Sequence, residues 1–216
     1  MFVADRMSSP PLTIHADDPM QEALNKMKKE GVRRFPVVDK AGKLLGIVSE
    51  SDLLHASPSD ATTLSMWELN YMLSKIKVKD VMTSKVTTVN ADTPIEEAAR
   101  IMSDSKIGGL PVLRDGELVG IITETDLFKT FLELMGARDS GVRLSVLVKN
   151  APGQLANITK AIYEAGGDII TLGTFMGESS ENSELVLKVD GVAEADLKKV
   201  VEPVVEKIVD LRTVSL

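Results

Sequence analysis

The sequence predicts an α+β chain in three parts. Two copies of a β-α-β-β-α module form a pseudo-twofold pair, and a smaller βαββαβ domain of ferredoxin-like order follows. Three observations carry this prediction. The stretch Gly46-Ile47-Val48-Ser49-Glu50-Ser51-Asp52-Leu53 returns as Gly120-Ile121-Ile122-Thr123-Glu124-Thr125-Asp126-Leu127. Upstream of it the copies stay in register, at an offset of 75 from Thr13/Thr88 through Pro36-Val37/Pro111-Val112, and of 74 after one extra residue near Ala41. Beyond Gly136-Ala137-Arg138-Asp139-Ser140-Gly141 the repetition stops and a new strand alternation begins.

Taken in order, the expected boundaries are 1–56 for the first repeat, 57–80 for a linker, 81–136 for the second repeat, 137–141 for a short linker and 142–216 for the last domain. Each repeat opens on a short strand and then a helix. Asp18-Pro19 and Thr93-Pro94 are expected to start the helices, the polar residue as N-cap and proline at the first helical position. Met20, Ala23, Leu24 and Met27, and likewise Ile95, Ala98, Ala99 and Met102, recur at i, i+3, i+4 and i+7, so each helix has one apolar face to bury. A hairpin follows, Phe35–Val38 with Lys43–Val48 in the first copy and Leu110–Leu113 with Glu117–Ile122 in the second. A module of about 50 residues buries too little surface to stand alone comfortably, and pairing two copies relieves that.

In the linker, Leu64–Ile76 reads as a helix carrying Met66, Trp67, Leu69, Tyr71, Met72 and Leu73. Its broad apolar face suits either the core between the repeats or self-association into a homodimer. In the last domain Val142–Val148 alternates as a strand, Asn150-Ala151-Pro152-Gly153 turns into a helix, and Asp168–Met176, Ser183–Val189 and Val209–Val214 supply the remaining strands. Pro203 falls inside a second helical pattern, through Leu197, Val200, Val201, Val204 and Val205, where proline costs about 3 kcal/mol, so a kink or an early end is expected there.

Composition narrows the chemistry. The 216 residues hold no cysteine and two histidines, His15 and His55, which argues against disulfide, thiolate and zinc sites. No apolar run approaches the roughly 18 residues of a membrane span, and Met1–Arg6 lacks the basic start of a signal peptide, so the expected location is the cytoplasm with no membrane partner. A formal charge of −7 argues against nucleic acid as a partner. There is no phosphate-binding loop of the Walker type, no defensible nucleophile–base pair and no cluster of metal ligands, so the chain is read as no enzyme, with no catalytic and no metal residues.

In both copies of Gly-Ile-x-[Ser/Thr]-Glu-[Ser/Thr]-Asp-Leu a hydroxyl and a carboxylate stand three residues apart at a strand-to-helix junction. One reading is a capping box. The other uses the same aspartate to accept hydrogen bonds from the two hydroxyls of a ribose. The copies also differ: Arg33-Arg34 in the first aligns with Gly108-Gly109 in the second. Either the arginines are simply solvated, or they bring positive charge for a polyphosphate from one repeat while the glycines permit close backbone approach, giving two unequal sites.

With Pro-Val before the hairpin and Gly-Ile-x-[Ser/Thr]-x-x-Asp-Leu after it, residues 7 to about 135 resemble tandem cystathionine-β-synthase-type (CBS) domains. That resemblance implies two clefts between the repeats that hold AMP, ADP, ATP or S-adenosylmethionine as ligand, with no cofactor required. It would place Asp52 and Asp126 on the ribose and Ser49 and Thr123 on the ribose or phosphate. Thr13, His15, Thr88 and Asn90 would lie near the base or phosphates, and Phe35-Pro36 and Leu110-Pro111 would wall the adenine; in the reading with unequal sites Arg33 and Arg34 add charge for the phosphates and Gly109 permits the close approach. Residues 142–216 resemble an ACT domain through Asn150-Ala151-Pro152-Gly153-Gln154-Leu155-Ala156 and Gly166-Gly167-Asp168-Ile169. This implies an amino acid whose carboxylate sits on the amides of Gly153, Gln154 and Leu155, with Asn150, Asp168 and Ile169 beside it; a turn that only launches a helix is the alternative. The whole order resembles the bacterial acetoin-utilisation accessory protein family. The expected function is therefore a dimeric sensor that reports nucleotide occupancy to a protein partner of unknown identity, and the alternative is a scaffold without a small-molecule ligand.

Overall fold

The structure, a computed structural model, describes residues 1–56 and 75–215. The expected connecting helix at Leu64–Ile76 falls, through residue 74, outside the described residues. The chain divides into two compact units, Met1–Leu127 and Phe128–Leu216.

In the first unit each repeat is a three-stranded sheet with its helices. The first has β1 (Ile14–His15), α1 (Met20–Glu30), β2 (Arg34–Val38), β3 (Leu44–Ser49) and α2 (Glu50–His55). After a short turn of helix α3 (Val78–Val81), the second has β4 (Val89–Asn90), α4 (Ile95–Ser105), β5 (Gly109–Arg114), β6 (Glu117–Thr123) and α5 (Glu124–Leu134), the last running on into the second unit. In both sheets the central strand pairs parallel with the short first strand and antiparallel with the third. The ladder bulges at the same place in both copies, Val37/Val38 and Val112/Leu113. The extra residue near Ala41 sits in the hairpin turn, where Asp39 Oδ1 accepts from the amides of Ala41 and Lys43 at 2.9 Å each. The shorter second turn places Asp115 and Gly116 at positive φ, as a tight hairpin requires.

The helix starts differ from expectation by one residue. Pro19 and Pro94 hold the cap position in extended backbone, with no side-chain cap. Asp18 Oδ2 instead accepts from the His15 amide and Thr93 Oγ1 from the Asn90 amide, so these polar residues close the strand-to-helix turn.

The two repeats exchange their leading segments. Val3, in the short 3-10 turn Val3–Asp5, is fully buried in the core of the second repeat beside Val89, Leu110 and Ile122. Val78 is fully buried in the core of the first beside Met20, Phe35 and Leu53. Single β-bridges fasten the exchange, Phe2 to Pro94 and Ser8 to Ile121 on one side, Pro19 to Lys77 and Ile47 to Thr83 on the other. Glycine is needed where these segments cross the sheet. A Cβ at Gly46 would lie 2.5 Å from Met82 Sδ and 3.0 Å from the Thr83 carbonyl oxygen, and one at Gly120 would meet Met7 Sδ and lie 3.0 Å from the Ser8 carbonyl oxygen.

The second unit is a four-stranded antiparallel sheet in the order β10-β7-β9-β8, from β7 (Gly141–Lys149), β8 (Asp168–Met176), β9 (Asn182–Asp190) and β10 (Lys207–Val214). Helices α6 (Gln154–Glu164) and α7 (Glu194–Val201) bury Ile158, Ile162, Leu197 and Val201 against Leu144, Val146, Leu185 and Leu187. The order of elements is βαββαβ, and α7 ends at Val201, tightening into a 3-10 turn that contains Pro203. Lys188, 5% exposed, donates from Nζ to the carbonyls of Gly136 and Asp139 at 2.7 and 2.5 Å, tying that segment to the sheet.

Because Val3 completes the core of the second repeat, Val3→Ala should lower the unfolding free energy by about 2 kcal/mol. Hydrogen exchange should rise in β5 and β6; a rise confined to β2 and β3 would contradict the exchange.

Candidate functional site

At the strand-to-helix junction of the first repeat the capping box forms, and at that of the second the carboxylate returns to the residue before the helix in the same way. The Ser49 amide and hydroxyl donate to Asp52 Oδ2 at 2.8 and 2.7 Å, and the Asp52 amide donates back to Ser49 Oγ at 3.3 Å. In the second copy the Thr123 amide and hydroxyl donate to Asp126 Oδ2 at 2.9 and 2.7 Å. In each copy the two bonds donated by Ser49 or Thr123 fall on one carboxylate oxygen, Oδ2. A carboxylate offers about four acceptor positions on its two oxygens, so capping fixes its direction without using up its capacity. The helix cap and a diol-binding role are therefore compatible in one side chain.

Both aspartates face clefts built from the two repeats together. The cleft at Asp126, of about 470 Å³, combines Ile121, Thr123 and Glu124 of the second repeat with Ser8, Leu12, Gly31, Val32, Arg33 and Arg34 of the first. The cleft at Asp52, of about 290 Å³, combines Ile47 and Ser49 of the first repeat with Thr83, Lys85, Thr87, Lys106, Ile107, Gly108 and Gly109 of the second, and Arg34 reaches it too. The two linings correspond position by position at the offsets found in the sequence, Ser8 with Thr83, Leu12 with Thr87, Val32 with Ile107 and Thr123 with Ser49.

The glycines opposite the arginines have a physical role. A Cβ on Gly108 would strike Arg34 Nη2 and lie 2.6 Å from Glu124 Oε2, and one on Gly109 would lie 3.2 Å from Arg34 Cδ. Where two equivalent segments meet near the pseudo-twofold axis, large side chains on both would collide. Here the small pair lets Arg34 lie across the other repeat, so the close approach that these glycines permit is by that side chain.

Of the expected site residues, the structure gathers Arg33, Arg34, Thr123 and Asp126 in one cleft and Arg34, Ser49, Asp52 and Gly109 in the other. It leaves others out of both linings. Phe35 and Leu110 are fully buried in the cores of their own repeats, and Pro36 and Pro111 are buried beside them in β2 and β5, outside the linings of these two clefts. Thr13 is held at the helix side, its carbonyl accepting from Lys26 Nζ at 2.8 Å. His15 and Asn90 are exposed as the last residues of the short strands, Asn90 lining a separate cavity with Phe2, Asp5 and Arg114. Thr88 is half-buried outside both linings; the residue before it, Thr87, and its counterpart Leu12 are the ones that line the clefts. Sequence reasoning missed Ser8, Thr83, Lys85 and Lys106. For Ser8 and Thr83 a signal was available, since Val3-Ala4-Asp5-Arg6-Met7-Ser8 matches Val78-Lys79-Asp80-Val81-Met82-Thr83 at the same offset of 75.

In the second unit Gly153, at φ 91, caps α6, and the Asn150 side chain donates to the Ser180 carbonyl at 3.2 Å. Asp168 and Ile169 do not join them. β7 and β8 flank β9, with Lys149 opposite Asn182 and Asp168 opposite Asp190, so Asn150 and Asp168 stand at opposite ends of the sheet, about 27 Å of strand apart. Among the described residues no group of His, Asp and Glu side chains could hold a metal, and no helix is long and apolar enough to cross a membrane.

The profile of the CBS domain matches residues 3–59 and 78–133. The chain belongs to the CBS-domain family. Its CBS pair is similar to a CBS domain-containing protein of Dictyostelium discoideum, 32% identical over 136 residues that cover 62% of this chain and 94% of that one. Inosine-5′-monophosphate dehydrogenase of Methanocaldococcus jannaschii is 31% identical over 91% of this chain, which spans only 37% of that enzyme. Among solved structures, the CBS domain pair of protein MJ0100, in complex with 5′-methylthioadenosine and S-adenosyl-L-methionine, is 31% identical with a TM-score of 0.51, over 61% of this chain and 99% of that one. A Vibrio cholerae protein described as an acetoin utilization protein (AcuB) is 32% identical with a TM-score of 0.53, over 64% of this chain and 96% of that one.

Ser49→Ala and Thr123→Ala should each lower stability in denaturant titrations by about 1 kcal/mol, the usual worth of a cap. An unchanged midpoint for both would mean that the boxes do not anchor the carboxylates.

Proposed function

We propose that the chain is a non-enzymatic sensor whose CBS pair binds an adenine nucleotide or S-adenosylmethionine in the clefts between the repeats. The observation that carries this reading is the composition of each cleft: an oriented carboxylate from one repeat faces apolar and cationic residues from the other. The carboxylate would accept both ribose hydroxyls. Ile47 with Ile107, and Ile121 with Val32, would flank the adenine, and the cations would meet any phosphate. A ligand gripping both halves binds the closed arrangement better than any other, which is the differential affinity that signalling requires. The solved CBS pair bearing two adenosine compounds supports the ligand class.

Occupancy would be read through a homodimer and a protein partner in the cytoplasm. Leu54 and Phe128 hold equivalent positions in the two repeats and are 57% and 69% exposed, each an apolar side chain available to a second copy. The second unit we assign as an ACT domain from its strand order and its Asn150–Leu155 turn. It would hold an amino acid by the amides of Gly153, Gln154 and Leu155 with Asn150 alongside, and without Asp168. The likeness to the Vibrio protein supports a place among acetoin-utilisation accessory proteins.

Thermal unfolding with AMP, ADP, ATP and S-adenosylmethionine tests the reading. A ligand at 100 times its dissociation constant should add about 2.7 kcal/mol, and Asp52→Ala/Asp126→Ala should abolish that gain in a protein of unchanged circular dichroism. A gain that survives the double substitution would refute the role given to the carboxylates, and a flat panel would favour a scaffold.

A further inference from the structure

We propose that the two clefts take different ligands: the Asp52 cleft a polyphosphorylated adenine nucleotide, the Asp126 cleft an adenosine thioether without a phosphate chain. This rests on the adenosine reading above and assigns a ligand class to each site. Arg34 lines both clefts and does not distinguish them. Around Asp126 the other charged lining residues are Arg33 and Glu124, so the formal charges cancel. Around Asp52, Lys85 and Lys106 join Arg34 against one carboxylate, leaving two positive charges in excess. The difference is built at equivalent positions, for Pro10 stands where the other cleft has Lys85, and Gly31 where it has Lys106.

The backbone at Lys106 adds a second, independent observation. Gly31 closes α1 in the left-handed conformation at φ 65, which glycine adopts freely. Lys106 closes α4 in the same conformation at φ 55, where a residue with a Cβ is disfavoured by about 1 kcal/mol. A cation at a helix C-terminus recovers part of that. What the lysine adds is an ammonium at the mouth of the Asp52 cleft. Lys85 and Lys106 are both exposed, so the 290 Å³ cleft need enclose only the nucleoside while the phosphates lie along its rim. A phosphate chain in the Asp126 cleft would meet the carboxylates of Glu124 and Asp126, a like-charge contact that selects against it. The roomier 470 Å³ there accepts the uncharged or cationic sulfur substituent of a thioether or sulfonium.

Isothermal titration of the full chain with ATP and with 5′-methylthioadenosine tests this. Lys85→Ala/Lys106→Gly should weaken ATP by about tenfold or more and change 5′-methylthioadenosine by less than about twofold. Lys106→Gly removes backbone strain, so its melting temperature should hold or rise, which separates lost charge from lost fold. Asp52→Ala should remove ATP binding and spare the thioether, and Asp126→Ala the reverse. ATP affinity unchanged in the lysine variant, or ATP binding lost with Asp126→Ala and kept with Asp52→Ala, would overturn the assignment while the adenosine reading stood. If neither compound binds the unaltered chain, the adenosine reading itself falls and this assignment with it.

Discussion

The exchange of Val3 and Val78 between repeats is the constraint on which the CBS pair depends. Each valine leads into one repeat and is fully buried in the core of the other. Complete burial of such a side chain is worth about 1.5–3 kcal/mol. Neither half can therefore move away without opening the core of the other. The crossing segments then run on past Gly46 and Gly120 to Thr83 and Ser8, which is how residues from both repeats come to line each cleft. The geometry of such a cleft depends on the relative placement of the halves, because each half supplies only part of its lining.

The second element is economy in the use of one carboxylate. Asp52 and Asp126 hold helix starts and face the clefts at once, and the bonds from Ser49 and Thr123 orient them before any ligand arrives. Preorganisation of this kind lowers the ordering cost of binding. The pseudo-symmetry is then broken by a few side chains. Arg34 lies over Gly108 and Gly109 and serves both clefts, while Lys106 replaces the glycine that its position in the fold favours.

Much of this architecture was legible in the sequence because it rests on local periodicity and on duplication. The repeat offset gave the paired modules and the aligned linings, and strand alternation with Pro203 gave the βαββαβ order and the early end of α7. What escaped was long-range. The CBS resemblance implied Phe35 and Leu110 as cleft walls, yet β2 and β5 are the central strands of their sheets and both side chains are fully buried in the cores of their own repeats. The capping and ribose readings of Asp52 stood as rivals because a motif shows spacing and not which oxygen is engaged. Asn150 and Asp168 looked like partners because a motif carries no strand direction, and the register of β9 separates them. The match of Val3–Ser8 with Val78–Thr83 was visible, but only tertiary contacts show that each segment belongs to the opposite core.

The central claim is that a carboxylate already fixed by a helix cap receives the sugar of an adenosine. A crystal structure of the chain saturated with ATP and 5′-methylthioadenosine tests it most directly. The account predicts ribose hydroxyls within hydrogen-bond distance of Asp52 and Asp126, with Ser49 and Thr123 still bonded to the same carboxylates. Nucleoside bound away from both aspartates, or carboxylates swung off their caps to reach it, would contradict the account.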